Sequence, residues 1–152
     1  MQIVPREVRI STLLWFVAVG AGVFETLLVI AEKLADESGL SPGIIVGVAV
    51  RLAVFSVATY LILQMRSGRN WARLTLTVML GVLGSASLLI SPITWFAEGH
   101  SLAEYFAGAQ PMSLLFAASR VIHIGAVFGG LLFMFRPAAN AFFRPTTELA
   151  VR

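Results

Sequence analysis

Four apolar runs, at about residues 10–31, 44–65, 74–95 and 113–135, leave this chain almost no freedom of fold. Roughly 20 apolar residues at 1.5 Å each cross about 30 Å of hydrocarbon, so each run is long enough to span a bilayer. In lipid every backbone polar group needs an internal partner, which makes each run a helix. The composition agrees: 58% of the 152 residues are hydrophobic and 12% charged, with a mean hydropathy of +0.88, far more apolar than an average soluble domain. The expected fold is an all-α, four-helix transmembrane bundle forming a single domain. The spans use up most of the chain, and a mobile cytoplasmic tail is expected over 146–152.

Orientation follows from the arginines. Arg6 and Arg9 precede the first span, Arg66, Arg69 and Arg73 join the second to the third, and Arg136, Arg144 and Arg152 follow the fourth, all on one side. The opposite loops carry Glu32, Lys33, Asp36 and Glu37, then Glu98, His100 and Glu104. The positive-inside rule places both termini and the second loop in the cytoplasm. The net charge of +3 is then a matter of topology, and no nucleic-acid partner is expected. A cleaved signal peptide fits poorly, because the first apolar stretch exceeds the usual 7–15 residues, carries Glu25 and lacks a clear small-x-small site.

Lipid tails are as apolar as leucine, so the helices must associate through close packing and interhelical hydrogen bonds. Small-xxx-small spacing marks the expected seams: Ala18 and Gly22 in the first span, Gly81 and Ser85 in the third, Gly125 and Gly129 in the fourth. These faces pack the bundle internally or meet a second copy. Pro92 removes a backbone donor near the outer end of the third span, and Ser85, Ser87 and Ser91 are the expected partners for the freed carbonyl. Trp71 and Trp95 frame that span at headgroup level. Between Phe96 and Met112 a short interfacial helix is expected, with a lid over the bundle as the alternative.

The most informative residues are the charges within the spans. Glu25 lies about six residues, roughly 9 Å, below the outer end of its run, and Arg51 and Arg120 about seven residues, roughly 10 Å, below theirs. His123 shares a helix face with Arg120, three positions deeper. A charge in hydrocarbon costs several kcal/mol, so these four residues should face a partner, a cavity or a ligand. One reading pairs Glu25 with Arg51 or Arg120 while the other arginine snorkels toward the headgroups. A second notes that one carboxylate cannot neutralise two arginines, leaving an outward-facing site for an anion such as a lipid phosphate. A third, proton exchange between Glu25, His123 and a transported cation, is opposed by the nearby arginines.

No GxSxG elbow, phosphate-binding glycine loop or metal-ligand spacing appears, so neither enzymatic activity nor a cofactor or metal is expected. His100 reads as a solvated loop histidine. The cytoplasmic boundaries, with Arg69, Trp71, Arg73, Arg136, Phe142 and Phe143, combine basic and aromatic side chains, which suits headgroup anchoring or docking of a cytoplasmic partner. Pro137 is placed to start a short helix ended by Pro145.

The turn Gly68-Arg69-Asn70-Trp71-Ala72-Arg73 and the exit segment Phe135-Arg136-Pro137-Ala138-Ala139-Asn140-Ala141-Phe142-Phe143 resemble small four-span integral membrane proteins of mycobacteria and related actinobacteria. The resemblance implies an inner-membrane protein of a bacterium with a complex lipid envelope, and transfers no functional residues. Glu25 is superficially similar to the first-span glutamate of small multidrug exporters, from which Arg51, Arg120 and the longer loops depart. The expected role is that of an accessory or scaffold component of a cell-envelope assembly, contacting membrane lipids and an envelope protein or a second copy. The alternative is a small transporter or lipid- and anion-binding protein centred on Glu25, Arg51, Arg120 and His123.

Overall fold

The computed structural model describes residues 3–35, 41–107 and 109–144. Asp36, Glu37, Pro145 and the tail over 146–152 fall outside them, so the expected helix stop and mobile tail do too. Four helices are long and apolar enough to cross a membrane: α1 (Arg6–Ala35), α2 (Pro42–Arg66), α3 (Asn70–Ala97) and α5 (Pro111–Met134). Two short helices, α4 (Leu102–Ala107) and α6 (Pro137–Phe142), follow α3 and α5. The described chain contains no strand, and the architecture is the all-α bundle expected. The end that holds residues 3 and 144 is called proximal below, and the opposite end distal.

The helix boundaries have local causes. Ser41 caps α2, its Oγ accepting from the Ile44 amide, and Pro42 occupies the first turn, where a missing N–H costs nothing. Pro111 and Pro137 open α5 and α6 in the same way. Ahead of α4, the Ser101 hydroxyl accepts from the Glu104 amide and the Glu104 carboxylate accepts from the Ser101 amide, a reciprocal capping box. The short helix expected between the third and fourth spans is therefore present. Gly68 turns α2 into α3 at φ +86°, a left-handed conformation that residues with a Cβ rarely adopt.

The bundle is built on the antiparallel pair α1 and α5. Ser11 Oγ donates to the Gly130 carbonyl at 2.8 Å, bridging the two helices. A Cβ at Gly130 would stand 3.1 Å from the Trp15 ring and one at Gly129 3.0 Å from Leu14, so these glycines are what let α1 approach. Farther along, Ala18, Ala126 and Val127 are buried. Gly22 faces both Phe55 of α2, 2.9 Å from where a Cβ would lie, and His123. Gly81 similarly receives Leu131, and Ser85 is buried. Gly125 differs from its expected role. Beyond the local backbone of its own helix, no heavy atom of the described residues lies within 4 Å of its would-be Cβ, and the close approach on α5 falls at Gly129 and Gly130, one helix turn on.

Within α3, residues Thr77–Gly84 form a π-helical segment. This widened stretch is a departure from regular α-helix that residue spacing did not indicate, and such bulges are often found at functional sites. Pro92 lies inside the distal part of α3. The helices α2 and α3 pack together chiefly along Asn70–Leu76, next to their connecting turn, and part toward the distal end.

Candidate functional site

Three of the four intramembrane ionisable residues meet. Glu25 is buried on α1; its Oε2 lies 3.5 Å from Nη2 of Arg120 and its Oε1 3.3 Å from Nδ1 of His123, both on α5. The antiparallel register that sets Ser11 against Gly130 carries Glu25 to this level. Arg120 and His123, three residues apart, then reach the same carboxylate from one face of α5. The carboxylate thus faces one fixed cation and one group that is cationic only when protonated.

Arg120 also answers the question posed by Pro92. A proline lacks the N–H that would bond the carbonyl four residues earlier, which here belongs to Leu88. Nη1 of Arg120 points to that oxygen at 3.4 Å. The arginine, rather than the expected serines, therefore meets the carbonyl freed in α3, while its guanidinium lies 4.9 Å above the Phe116 ring. One side chain ties α1, α3 and α5 together in the distal half.

Arg51 stands outside this cluster. It is exposed, and the hydrogen bond described for it runs from Nη1 to the Gly47 carbonyl of its own helix, at 3.4 Å. Gly47 lies one turn nearer the distal end, so the guanidinium is turned back toward the headgroup region, as a snorkelling arginine does. Among the described residues Arg51 makes no ion pair with a carboxylate. The depth arithmetic that brought Arg51 level with Glu25 carried no information on the direction its helix face takes.

Beneath the Glu25 cluster lies a cavity of about 150 Å³, walled by all four spans. Ala18 and Val19 come from α1, Val54 and Phe55 from α2, Leu80, Gly84, Ser87 and Leu88 from α3, and His123 and Val127 from α5. The lining is apolar apart from His123 and Ser87. Ala18 and Val127 are buried, whereas Val54 and Ser87 are exposed, so the opening lies between α2 and α3, where those helices part. Leu80 and Gly84 belong to the π-helical segment. Arg51 precedes the lining residues Val54 and Phe55 by three and four residues and so lies on their side of α2, one turn nearer the distal end.

The proximal residues are divided by the fold. Arg73 is 6% exposed, its Nη2 donating to Oδ1 of Asn140, with its guanidinium 4.2 Å above the Phe135 ring and 4.9 Å above Phe143. Asn140 in turn donates through Nδ2 to the Phe135 carbonyl at 2.9 Å. Phe143 is buried, and Phe142 lies against Gly68, where a Cβ would stand 3.4 Å from its ring. Arg69, Trp71 and Arg136 face outward, Trp71 beside Tyr60 and Arg136 over Phe133. The two segments that carried the resemblance are thus two halves of one packed unit, and Asn140 is its unanticipated centre.

Distally, Trp95 stacks on His100 at 4.3 Å, and His100 pairs with Glu104 at 3.3 Å. Tyr105 donates to the Ser113 carbonyl, tying α4 to the start of α5. Among the described residues no group of three or more His, Cys, Asp or Glu side chains is placed to hold a metal ion.

The fold and this arrangement define a polytopic, all-α membrane protein with a polar cluster inside its bundle. The chain matches no protein-family model, no curated protein and no solved structure.

Proposed function

We propose that the protein binds an anionic constituent of the membrane at the distal half of its bundle, through Arg51. The observation that carries this reading is the division of the intramembrane charges. Glu25 is engaged by Arg120 and His123, while Arg51 stands exposed one turn distal to the cavity-lining Val54 and Phe55, with no carboxylate of the described residues against it. An arginine in that position takes a phosphate or carboxylate from outside the chain, since its guanidinium fits such oxyanions bidentately. With the arginine-rich end in the cytoplasm, as the positive-inside asymmetry predicts, the site opens in the outer leaflet of a bacterial plasma membrane.

The accessory role expected from the sequence gains no comparable support. Of its suggested interfaces, the small-residue seams at Gly22, Gly81 and Gly129 are occupied by Phe55, Leu131 and Leu14 of the same chain, while Gly125 and the exposed proximal Arg69, Trp71 and Arg136 have no partner that identifies an assembly.

The test is lipid selectivity in nanodiscs. A single arginine near the membrane surface is worth about 1 kcal/mol toward anionic lipid, about a fivefold preference. Wild-type protein should retain phosphatidylglycerol over phosphatidylcholine in native mass spectrometry, and Arg51→Leu should lower that preference by about the same fivefold factor with the bundle intact, leaving only what the proximal arginines contribute. Equal retention of the two lipids by the wild type, or unchanged selectivity in Arg51→Leu, would overturn the proposal.

A further inference from the structure

We infer that the occupant is an anionic phospholipid whose acyl chain enters between α2 and α3 and lodges in the central cavity, its phosphate on Arg51. This rests on the reading of Arg51 above and adds the lipid class, the route of entry and the place of the chain.

Three features lead to it. The first is solvation. A cavity of about 150 Å³ is of the size that, when lined by aliphatic and aromatic side chains, stays dry and takes up a benzene-sized molecule, or about six carbons. Left empty, it forfeits packing along its whole lining. Its mouth, at Val54 and Ser87, opens sideways at a depth where the surroundings of the bundle are hydrocarbon. An acyl chain is the filler of matching chemistry.

The second feature is alignment. Arg51 lies one turn, about 5 Å, distal to Val54 on the same face of α2. A chain descending past Arg51 therefore meets the mouth without crossing another helix. The guanidinium, turned toward the Gly47 carbonyl and hence toward the headgroups, is where the phosphate of that lipid would lie.

The third is the shape of the wall. The π-helical turn of α3 contributes Leu80 and Gly84, and a Cβ at Gly84 would meet its nearest neighbour at 3.6 Å, an ordinary contact. The glycine leaves room that its own backbone does not need. On the far side, Nδ1 of His123 lies 3.3 Å from Oε1 of Glu25, so the imidazole that forms part of the wall is anchored to α1.

The experiment uses the full chain in nanodiscs with phosphatidylglycerol carrying a nitroxide midway along one acyl chain, read by relaxation broadening of methyl resonances. With the labelled lipid a small fraction of the bilayer, so that bulk contact contributes little, Val127, buried at the back of the cavity, and Leu80 should broaden several-fold more than outward-facing Leu132 and Val121. Gly84→Leu, which fills the cavity from a position with space for its Cβ, should remove the broadening at Val127 while leaving selectivity for phosphatidylglycerol partly intact. Ser87→Leu, at the exposed mouth, should weaken it by the same route without touching the core. Labelled phosphatidylcholine should give less broadening at Val127 in the wild type, and Arg51→Leu should narrow the difference between the two lipids at Val127.

If Val127 broadens no more than Leu132, or if Gly84→Leu and Ser87→Leu leave its broadening unchanged, the chain does not enter the cavity. The reading of Arg51 as an anion site would then stand or fall on lipid selectivity alone. Equal broadening by both lipids in the wild type would show a chain in the cavity without the phosphate on Arg51, which also overturns the inference.

Discussion

Replacing Glu25 by glutamine keeps the shape of the side chain and removes the carboxylate that faces both Arg120 and His123. An interhelical polar contact in a membrane protein is worth about 0.6 kcal/mol on average and about 1.7 kcal/mol at most. Two such contacts, at 3.5 and 3.3 Å, are long enough to belong near the average. Stranding Arg120 as an unpaired cation adds to this, but not the full penalty of about 2.5–3.5 kcal/mol for a charge at the bilayer centre. Its side chain is 23% accessible and retains the Leu88 carbonyl and the Phe116 ring. The expected loss is about 1–2 kcal/mol.

A double-mutant cycle with Arg120→Leu isolates the pair. The single Arg120→Leu change also orphans the Leu88 carbonyl, but that cost is the same with or without Glu25 and cancels in the cycle. The expected coupling is about 0.5–1.5 kcal/mol, measured by steric trapping or by unfolding in mixed micelles with circular dichroism. Stability of Glu25→Gln within about 0.3 kcal/mol of wild type, or additivity of the two changes within the same margin, would refute the assignment of Glu25 as the charge that holds α1 to α5.

Two further outcomes follow from the packing. Gly130→Val should destabilise the bundle by about 1–3 kcal/mol, because its side chain grows against fully buried Trp15, whereas Gly125→Ala, facing open space, should be neutral or gain up to about 1 kcal/mol of helix propensity in the same unfolding assay. Asn140→Ala should release α6 from Arg73, raising amide exchange over residues 135–143 about tenfold for a loss of about 1.4 kcal/mol, with exchange along the distal half of α1 unchanged.

How much of the site was legible depended on what each residue's position encodes. Helical rise is constant, so residue number converts to depth, and Glu25, Arg120 and His123 could be brought to one level on paper. Arg51 passed the same arithmetic and yet lies outside the cluster, because depth says nothing about rotation of α2 or its divergence from α3. The small-residue stripe on α5 was visible, but Gly125 and Gly130 both fit it, and only the position of Trp15 on the facing helix distinguishes them. The carbonyl freed by Pro92 was predictable as Leu88 from the four-residue offset. That Arg120 would reach it from another helix was not.

The arginine-rich turn and the exit segment show the same division. Each read alone as a basic, aromatic membrane boundary. Their closure on one another, with Arg73 between Phe135 and Phe143 and bonded to Asn140, required the chain ends of α2 and α5 to meet.

What the sequence by itself determined is the class of fold: four helices in a bilayer, their order and approximate ends, and the residues whose charge must be satisfied within it. Those follow from local quantities, namely apolar length, helical rise, proline and capping chemistry, and the cost of an unpaired polar group in hydrocarbon. Only the tertiary structure decided which charges are paired, which glycines are contacts, where α3 widens into a π-helix and that a cavity lies at the junction of the four spans. These depend on the rotation and tilt of each helix, set by the sum of many weak contacts between faces, and no single stretch of sequence contains that sum.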